Sequence, residues 1–60
     1  MQVVVTTIGG PPYPWKIGER MLHLGEIIGM PGHVVVVNGK GKIFQGYHDY
    51  NFRPATEDEI

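Results

Sequence analysis

Residues 33–47 are HVVVVNGKGKIFQGY, two β-forming runs on either side of an Asn-Gly pair. The four valines and the Ile43-Phe44 pair favour strands, because β-branched and aromatic side chains fit a pleated, half-buried surface. Asn38-Gly39 favours a tight hairpin, since the backbone of such a turn must visit positive φ. A run of four valines is apolar on both faces of its strand, which is typical of a closed barrel or of a strand at a protein interface.

Short apolar runs separated by glycine and proline continue this pattern towards both ends of the chain. Residues 3–8 (VVVTTI) and 21–28 (MLHLGEII) predict the first two strands, with Gly25 as a bend or bulge in the second. The segment between them, GGPPYP at residues 9–14, predicts an ordered loop, because prolines remove ladder donors. Residues 42–47 predict a fourth strand, and residues 52–55 a short fifth strand that Pro54 places at a sheet edge.

Five strands in 60 residues predict an all-β fold, a small five-stranded barrel that is closed or nearly closed. Residues 49–51 are too polar for a strand and predict a 3-10 turn before the last strand. Thr56 and Glu59 have the spacing of a capping box, so residues 56–60 are expected to form an acidic C-terminal tail or a short helical turn. The whole chain, residues 1–60, is expected to be a single domain.

Composition and charge exclude several classes of protein. The formal net charge is −1, the basic residues are scattered, and cysteine is absent. A strong nucleic-acid binder usually has a dense basic face, so nucleic acid is not the favoured partner. The chain has neither a basic segment before an apolar run at its start nor an apolar run of about 20 residues. We therefore expect a soluble, cytoplasmic protein without membrane contact.

Two stretches resemble the SH3 domain. Residues 15–21 (WKIGERM) are similar to its diverging turn, in which an aromatic residue, a lysine, a glycine and an acid lead into the second strand. Residues 46–52 (GYHDYNF) are similar to its closing segment of glycine, apolar residues, proline, serine, asparagine and tyrosine. The resemblance implies an SH3-like barrel of the stripped-down kind found in small bacterial and phage-encoded proteins.

The chain also departs from the SH3 pattern where that family binds peptides. The loop before Trp15 is short and has no acid, and His33 lies near the position of the family's third-strand tryptophan. Asp49 occupies the place of the closing proline, and Phe52 that of the tyrosine. These departures predict that the groove for a polyproline helix is mostly absent.

Aromatic residues near the closing segment are the candidate contact surface. Tyrosine and arginine are favoured anchors at protein interfaces. Phe44 and Phe52 are expected in the core, and Trp15 half-buried under the proline loop. The alternative is that the tyrosines only cover the mouth of the barrel. The candidate protein-binding residues are Tyr13, Trp15, Tyr47, His48, Tyr50 and Arg53.

The residues needed for catalysis or metal binding are not arranged for either. Cysteine and serine are absent, and the three histidines have no local ligand spacing. We therefore expect no catalytic residue, no metal, no cofactor and no enzymatic activity. An oligomer with a shared ligand site at a symmetry axis would be the exception.

Two functions of different kinds remain. The first is a non-enzymatic protein-interaction module, such as a phage or bacterial accessory protein that binds and modulates a larger cellular protein, or that forms a homo-oligomer through residues 34–37. The second is a nucleic-acid-binding SH3-like barrel that uses Lys40, Lys42 and Arg53 with the tyrosines. The near-neutral charge favours the first.

Overall fold

A computed structural model describes all 60 residues and contains five antiparallel strands in one sheet. The strands are β1 (Gln2–Thr6), β2 (Arg20–Glu26), β3 (His33–Asn38), β4 (Ile43–Tyr47) and β5 (Phe52–Pro54). Their order in the sheet is β4-β3-β2-β1-β5, so β4 and β5 are the two edges. The predicted all-β fold is confirmed, and Pro54 lies on an edge strand as expected.

The sheet curls into a half-barrel because a short connection joins its two edges. A single helical turn, α1 (His48–Asn51), lies between β4 and β5, and its hydrogen bonding is α-helical, whereas the sequence favoured a 3-10 turn. A Cβ atom built on Gly46 of β4 would lie 2.8 Å from Phe52 Cε2 of β5. The edges therefore meet through side-chain packing, while the sheet itself stays open between them.

The β3–β4 hairpin forms where the Asn-Gly pair predicts it, but its geometry differs. Only Gly41 has a positive φ in this turn (80°), and Asn38 and Gly39 do not. The Gly41 N–H donates to Asn38 O (3.0 Å), and the Asn38 N–H donates to Lys42 O (3.0 Å). Asn38 Oδ1 accepts from the N–H groups of Lys40 and Lys42, both at 2.9 Å. The loop is thus a three-residue turn whose third residue is a left-handed glycine, and Asn38 contributes through its side chain.

The valines of β3 alternate between the two faces of the sheet. Val34 and Val36 are buried in the core, whereas Val35 and Val37 are half-buried on the other face. A second copy of the chain could therefore contact only Val35 and Val37, not all four valines. In the neighbouring β2 the pairing register shifts between His23 and Gly25, which confirms the bulge predicted at Gly25.

Trp15 lies at the centre of the core and corrects the expectation of a half-buried side chain. It is only 5 % exposed, and its ring centroid is 5.4 Å from that of Phe52 and 5.7 Å from that of Phe44. Its Nε1 donates to Ile8 O (2.7 Å), so the buried indole has a hydrogen-bond partner. The core cluster comprises Val4, Trp15, Met21, Val34, Val36, Phe44 and Phe52.

The C-terminal tail forms a 3-10 turn, Glu57–Glu59, that is fixed to the sheet by two arginines. The Glu59 carboxylate accepts two hydrogen bonds from the Arg53 guanidinium (2.7 Å each) and one from the Thr56 N–H (2.9 Å), as the capping box predicts. Arg20 donates to Glu59 O (3.0 Å). Val5 pairs with Arg20 on one side and Arg53 on the other, and it is 1 % exposed although it lies outside the core cluster. We infer that the tail covers Val5.

The Arg53–Glu59 ion pair should make the stability of the protein depend on pH. Hydrogen bonds from Arg53 lower the pKa of Glu59 from its ordinary 4.5 to about 2. Because the folded-state pKa is depressed, the stabilising contribution of the pair is present above pH 4.5 and is lost as the pH falls through about 2. Carboxyl carbon chemical shifts should place the titration of Glu59 at about pH 2 and that of the R53Q variant closer to 4.5. If Glu59 of the native chain instead titrates with a midpoint near pH 4.5, the ion pair does not persist in solution.

Neither of the two helical turns is long and apolar enough to cross a membrane.

Candidate functional site

A groove of about 490 Å³ runs between three connecting segments of the sheet. We call it the aromatic groove. One wall is the β1–β2 loop, the second is the β2–β3 turn with the start of β3, and the third is the end of β4 with α1. The lining side chains that reach solvent or lie half-buried are Pro12, Tyr13, Pro14, Met30, His33, Gln45, Tyr47 and Tyr50. Its floor is formed by Trp15, Gly46 and Asn51, which are buried.

The tyrosines present their rings at the rim of the aromatic groove. Tyr47 is 52 % exposed and Tyr50 is 62 % exposed, so neither is packed beneath its neighbours. Tyr13 is half-buried, with its ring centroid 5.6 Å from that of Trp15. Tyr47 packs beside His33, with 4.1 Å between ring centroids. The rim therefore offers aromatic surface above a buried floor, which is the usual composition of a protein-binding anchor site.

Asn51 holds the wall that carries Tyr47 and Tyr50. Its side chain is buried (3 % exposed), and its Oδ1 accepts from the Tyr47 N–H (2.7 Å). Its backbone carbonyl accepts from the Thr7 N–H (2.8 Å), and Thr7 Oγ1 donates to Tyr50 O (2.8 Å). These bonds connect α1 to the end of β1, so the two tyrosines are placed by the sheet and not by a free loop.

Thr6 fixes the opposite wall. Its Oγ1 donates to Lys16 O and accepts from the Glu19 N–H (2.9 Å), and its backbone carbonyl accepts from the Gly18 N–H (2.9 Å). The Gly10 N–H donates to Trp15 O (2.9 Å), which closes the proline loop on itself. The loop that carries Tyr13 is therefore anchored at both of its ends.

Three of the candidate contact residues line the aromatic groove with exposed or half-exposed rings, namely Tyr13, Tyr47 and Tyr50. Trp15 lies under the groove as part of the core and offers little surface of its own. The groove also contains Met30 (43 % exposed), which the sequence did not single out, and His33, which the SH3 resemblance placed near a tryptophan of that family but which was not a candidate contact residue. A groove is present at these aromatic residues, and the absence of most of a groove for a polyproline helix stays a prediction.

His48 and Arg53 lie outside the aromatic groove. His48 Nδ1 is 2.8 Å from Asp49 Oδ1, and its ring packs on that of His23 at 5.8 Å between centroids. Arg53 is on β5, where its guanidinium donates two hydrogen bonds to the Glu59 carboxylate and one to Pro54 O (3.2 Å). The structure therefore does not bring these two residues together with the tyrosines.

A second depression, of about 750 Å³, lies between residues 14–20 and the β3–β4 hairpin. We call it the basic cleft. It contains four of the five basic residues of the chain and one of the six acidic residues, Glu19. Lys40 and Lys42, the nucleic-acid candidates, line it, but Arg53 does not. The sequence did not single out the other two cations, Lys16 and Arg20.

The two depressions differ in their charged residues. Glu19 is the only carboxylate in the basic cleft, and the aromatic groove is lined by no Asp, Glu, Lys or Arg. No group of three or more histidine and carboxylate side chains is close enough to hold a metal ion. The groove thus offers aromatic surface, and the cleft offers positive charge. Comparison of the chain with models of protein families, with curated proteins and with solved structures found no match.

Proposed function

We propose that this chain is a non-enzymatic protein-interaction module built on an SH3-like barrel. The two stretches that resemble the SH3 domain support the barrel: residues 15–21 lead into β2, and residues 46–52 contain the end of β4, α1 and the start of β5. By this resemblance, the protein acts as a small bacterial or phage accessory factor that occupies a surface of a larger protein. The exposed rings of Tyr47 and Tyr50 over a buried floor are the observation that carries the proposal.

The lining of the aromatic groove indicates what kind of segment it binds. It is lined by no Asp, Glu, Lys or Arg, so it offers no carboxylate, ammonium or guanidinium partner for a charged side chain of the ligand. Tyrosine, proline and methionine surfaces favour apolar and proline side chains, while the tyrosine hydroxyls and Gln45 can orient a peptide backbone. The proposed occupant is therefore an extended, uncharged, apolar-rich stretch of a partner protein.

Selection of peptides on the folded protein tests this function. A displayed library of random dodecapeptides is panned against the native chain, and the selected peptides are synthesised and titrated by calorimetry. We expect them to be rich in proline and apolar residues and poor in charge. The Y47A/Y50A double variant should bind them at least about tenfold more weakly, because truncating an aromatic anchor costs about 1 kcal/mol or more.

The matched control is I43A, whose side chain is as exposed as that of Tyr50 (62 %) but lies outside the groove. Its affinity for the selected peptides should equal that of the native chain. Urea unfolding verifies that all variants are folded. The function is contradicted if the library yields no binders, or if the selected peptides bind Y47A/Y50A as tightly as they bind the native chain.

A further inference from the structure

The basic cleft continues directly from the aromatic groove. Pro14 and Trp15 line both depressions, so a chain that leaves the groove over Pro14 enters the cleft. On the far side are Lys16, Arg20, Lys40 and Lys42, all of which line the cleft. Four cations against the single carboxylate of Glu19 make this part of the surface positive, in a protein whose net charge is −1.

We propose that the basic cleft binds an acidic stretch of the same partner segment whose apolar stretch fills the aromatic groove. This inference rests on the proposed function for the link between the two stretches, but the cleft can be tested alone. The argument is charge complementarity: a cleft with several cations attracts a run of Asp or Glu side chains and repels a basic run. The partner segment is thus bipartite, with one uncharged apolar part and one acidic part.

The cleft fits an acidic protein segment better than a nucleic acid. Binding of single strands uses exposed rings on which the bases stack. The two rings under the cleft, Trp15 and Phe44, are only 5 % and 8 % exposed. Lys42 Nζ lies 5.5 Å from the Phe44 ring centroid, so this lysine already covers part of that ring. The cleft therefore offers charge without a stacking platform.

Glu19 is the residue that limits how strongly the cleft attracts acids. Its carboxylate accepts from the Lys16 N–H (3.2 Å) and from Asn38 Nδ2 (3.5 Å), and its backbone N–H donates to Thr6 Oγ1 (2.9 Å). It is held in the cleft by both walls and repels a second carboxylate placed there. Removing its charge should therefore strengthen the binding of an acidic ligand.

The test titrates hexaglutamate into the isotope-labelled full chain at an ionic strength of about 0.1 M, where charges more than about 10 Å apart are largely screened, and follows the backbone amide signals. We expect saturable shifts confined to residues 16–20 and 38–42. K42Q should weaken binding about two- to fivefold, as expected for loss of one exposed ion pair, and E19Q should strengthen it by a similar factor. The matched control for E19Q is E57Q, which removes an exposed carboxylate outside the cleft and should leave the affinity within about 1.5-fold of native.

Three results would overturn the inference. The first is the absence of shifts with hexaglutamate, and the second is that E57Q changes the affinity as much as E19Q does. The third is tighter binding of hexathymidylate than of hexaglutamate, which would assign the cleft to nucleic acid. The Y47A/Y50A variant should bind hexaglutamate normally, so failure of the groove and failure of the cleft are distinguishable.

A separate experiment tests whether one ligand occupies both depressions. A hexaglutamate extension is added to one end or the other of a groove-binding peptide. One of the two orientations should bind at least about tenfold more tightly than the unextended peptide, because the second contact becomes intramolecular. If neither extension improves the affinity, the cleft does not serve the ligand of the groove.

Discussion

Replacing Gly9 with alanine should destabilise the protein by about 3 kcal/mol or more. A Cβ atom at this position would lie 2.1 Å from Ile17 N and 2.4 Å from the carbonyl carbon of Lys16. Both are backbone atoms, so no change of rotamer relieves the overlap. A domain of 60 residues has roughly 3–9 kcal/mol of stability in total, so this single methyl group is expected to remove about a third of it or more.

Urea unfolding of G9A beside G39A measures this effect. A Cβ atom at Gly39 would meet no side chain or distant backbone within 4 Å, and the φ of Gly39 is not positive, so alanine fits there without overlap or strain. We expect G39A to stay within about 0.5 kcal/mol of the native chain, as for most surface substitutions. Equal stability of G9A and G39A would mean that residues 16–17 do not pack against Gly9 in solution.

This packing at Gly9 shows where prediction from the sequence stops. The strands were predictable because the valine-rich runs and the Asn-Gly hairpin depend on neighbouring residues. Contact between Gly9 and residues 16–17 depends on how the proline loop folds back, and no local pattern encodes that path. The hairpin illustrates the same limit on a smaller scale. Its position followed from Asn38-Gly39, but the left-handed residue is Gly41, because the Asn38 side chain accepts the two N–H groups of the turn.

The sequence predicted the tyrosines of the aromatic groove, but it did not predict all the other residues that line the groove. Tyr47 and Tyr50 stand next to the last strand, so exposure at the edge of the sheet followed from the sequence. Arg53 is close to them in sequence, but side chains alternate along a strand, and this one faces the C-terminal tail. Met30 and His33 reach the groove only because β3 pairs with β4, where His33 lies opposite Tyr47. Without the pairing register, Met30 had no evident connection with the tyrosines, and for His33 only the SH3 resemblance indicated one.

The basic cleft was hidden for a related reason. Lys16 and Arg20 are far from the β3–β4 hairpin along the chain, and the basic residues are scattered when counted in sequence order. The pairing of Met21 with Asn38 brings Arg20 beside the hairpin and so gathers four cations in one place. The net charge of −1 argued against an anion-binding surface, whereas the grouping of four cations in the basic cleft favours one.

Trp15 contributes both to the two depressions and to the stability of the domain. It packs on Phe44 and Phe52 in the core and forms part of the floor of the groove and of the cleft. A ligand that contacts either depression therefore lies above a residue of the hydrophobic core. This favours a preformed binding surface, which limits the conformational entropy lost on binding. It also means that Trp15 variants cannot separate binding from folding, and that the exposed tyrosines and lysines are the appropriate sites for mutagenesis.

Replacing Asn51 with aspartate should destabilise the protein by about 3 kcal/mol near neutral pH, because it leaves an uncompensated charge in the interior. Asn51 is 3 % exposed, and the aromatic groove above it contains no Lys or Arg. Asp keeps the oxygen that accepts from the Tyr47 N–H, and the Nδ2 group that it removes has no hydrogen-bond partner. The substitution therefore changes the charge of the site and almost nothing else.

The destabilisation of N51D should depend on pH in a defined direction. Burial raises the pKa of the new carboxyl above its usual value of about 3.9. The cost is therefore fully present above the raised folded-state pKa and disappears as the pH falls below about 3.9, where the group is neutral in both states. The difference in the free energy of unfolding between N51D and the native chain should narrow from about 3 kcal/mol near neutral pH to below about 1 kcal/mol at pH 3.

The same change of a carboxamide to a carboxylate at Gln2 isolates burial as the cause. Gln2 is exposed at the start of β1, so a carboxylate there stays in water. Q2E should stay within about 0.5 kcal/mol of the native chain and become no more stable relative to it in acid. If N51D also proves mild and independent of pH, water reaches residue 51, and the wall that carries Tyr47 and Tyr50 is looser than the hydrogen bonds of Asn51 indicate. The binding surface would then form only with its ligand, and the Y47A/Y50A variant would change the kinetics of association as well as the affinity.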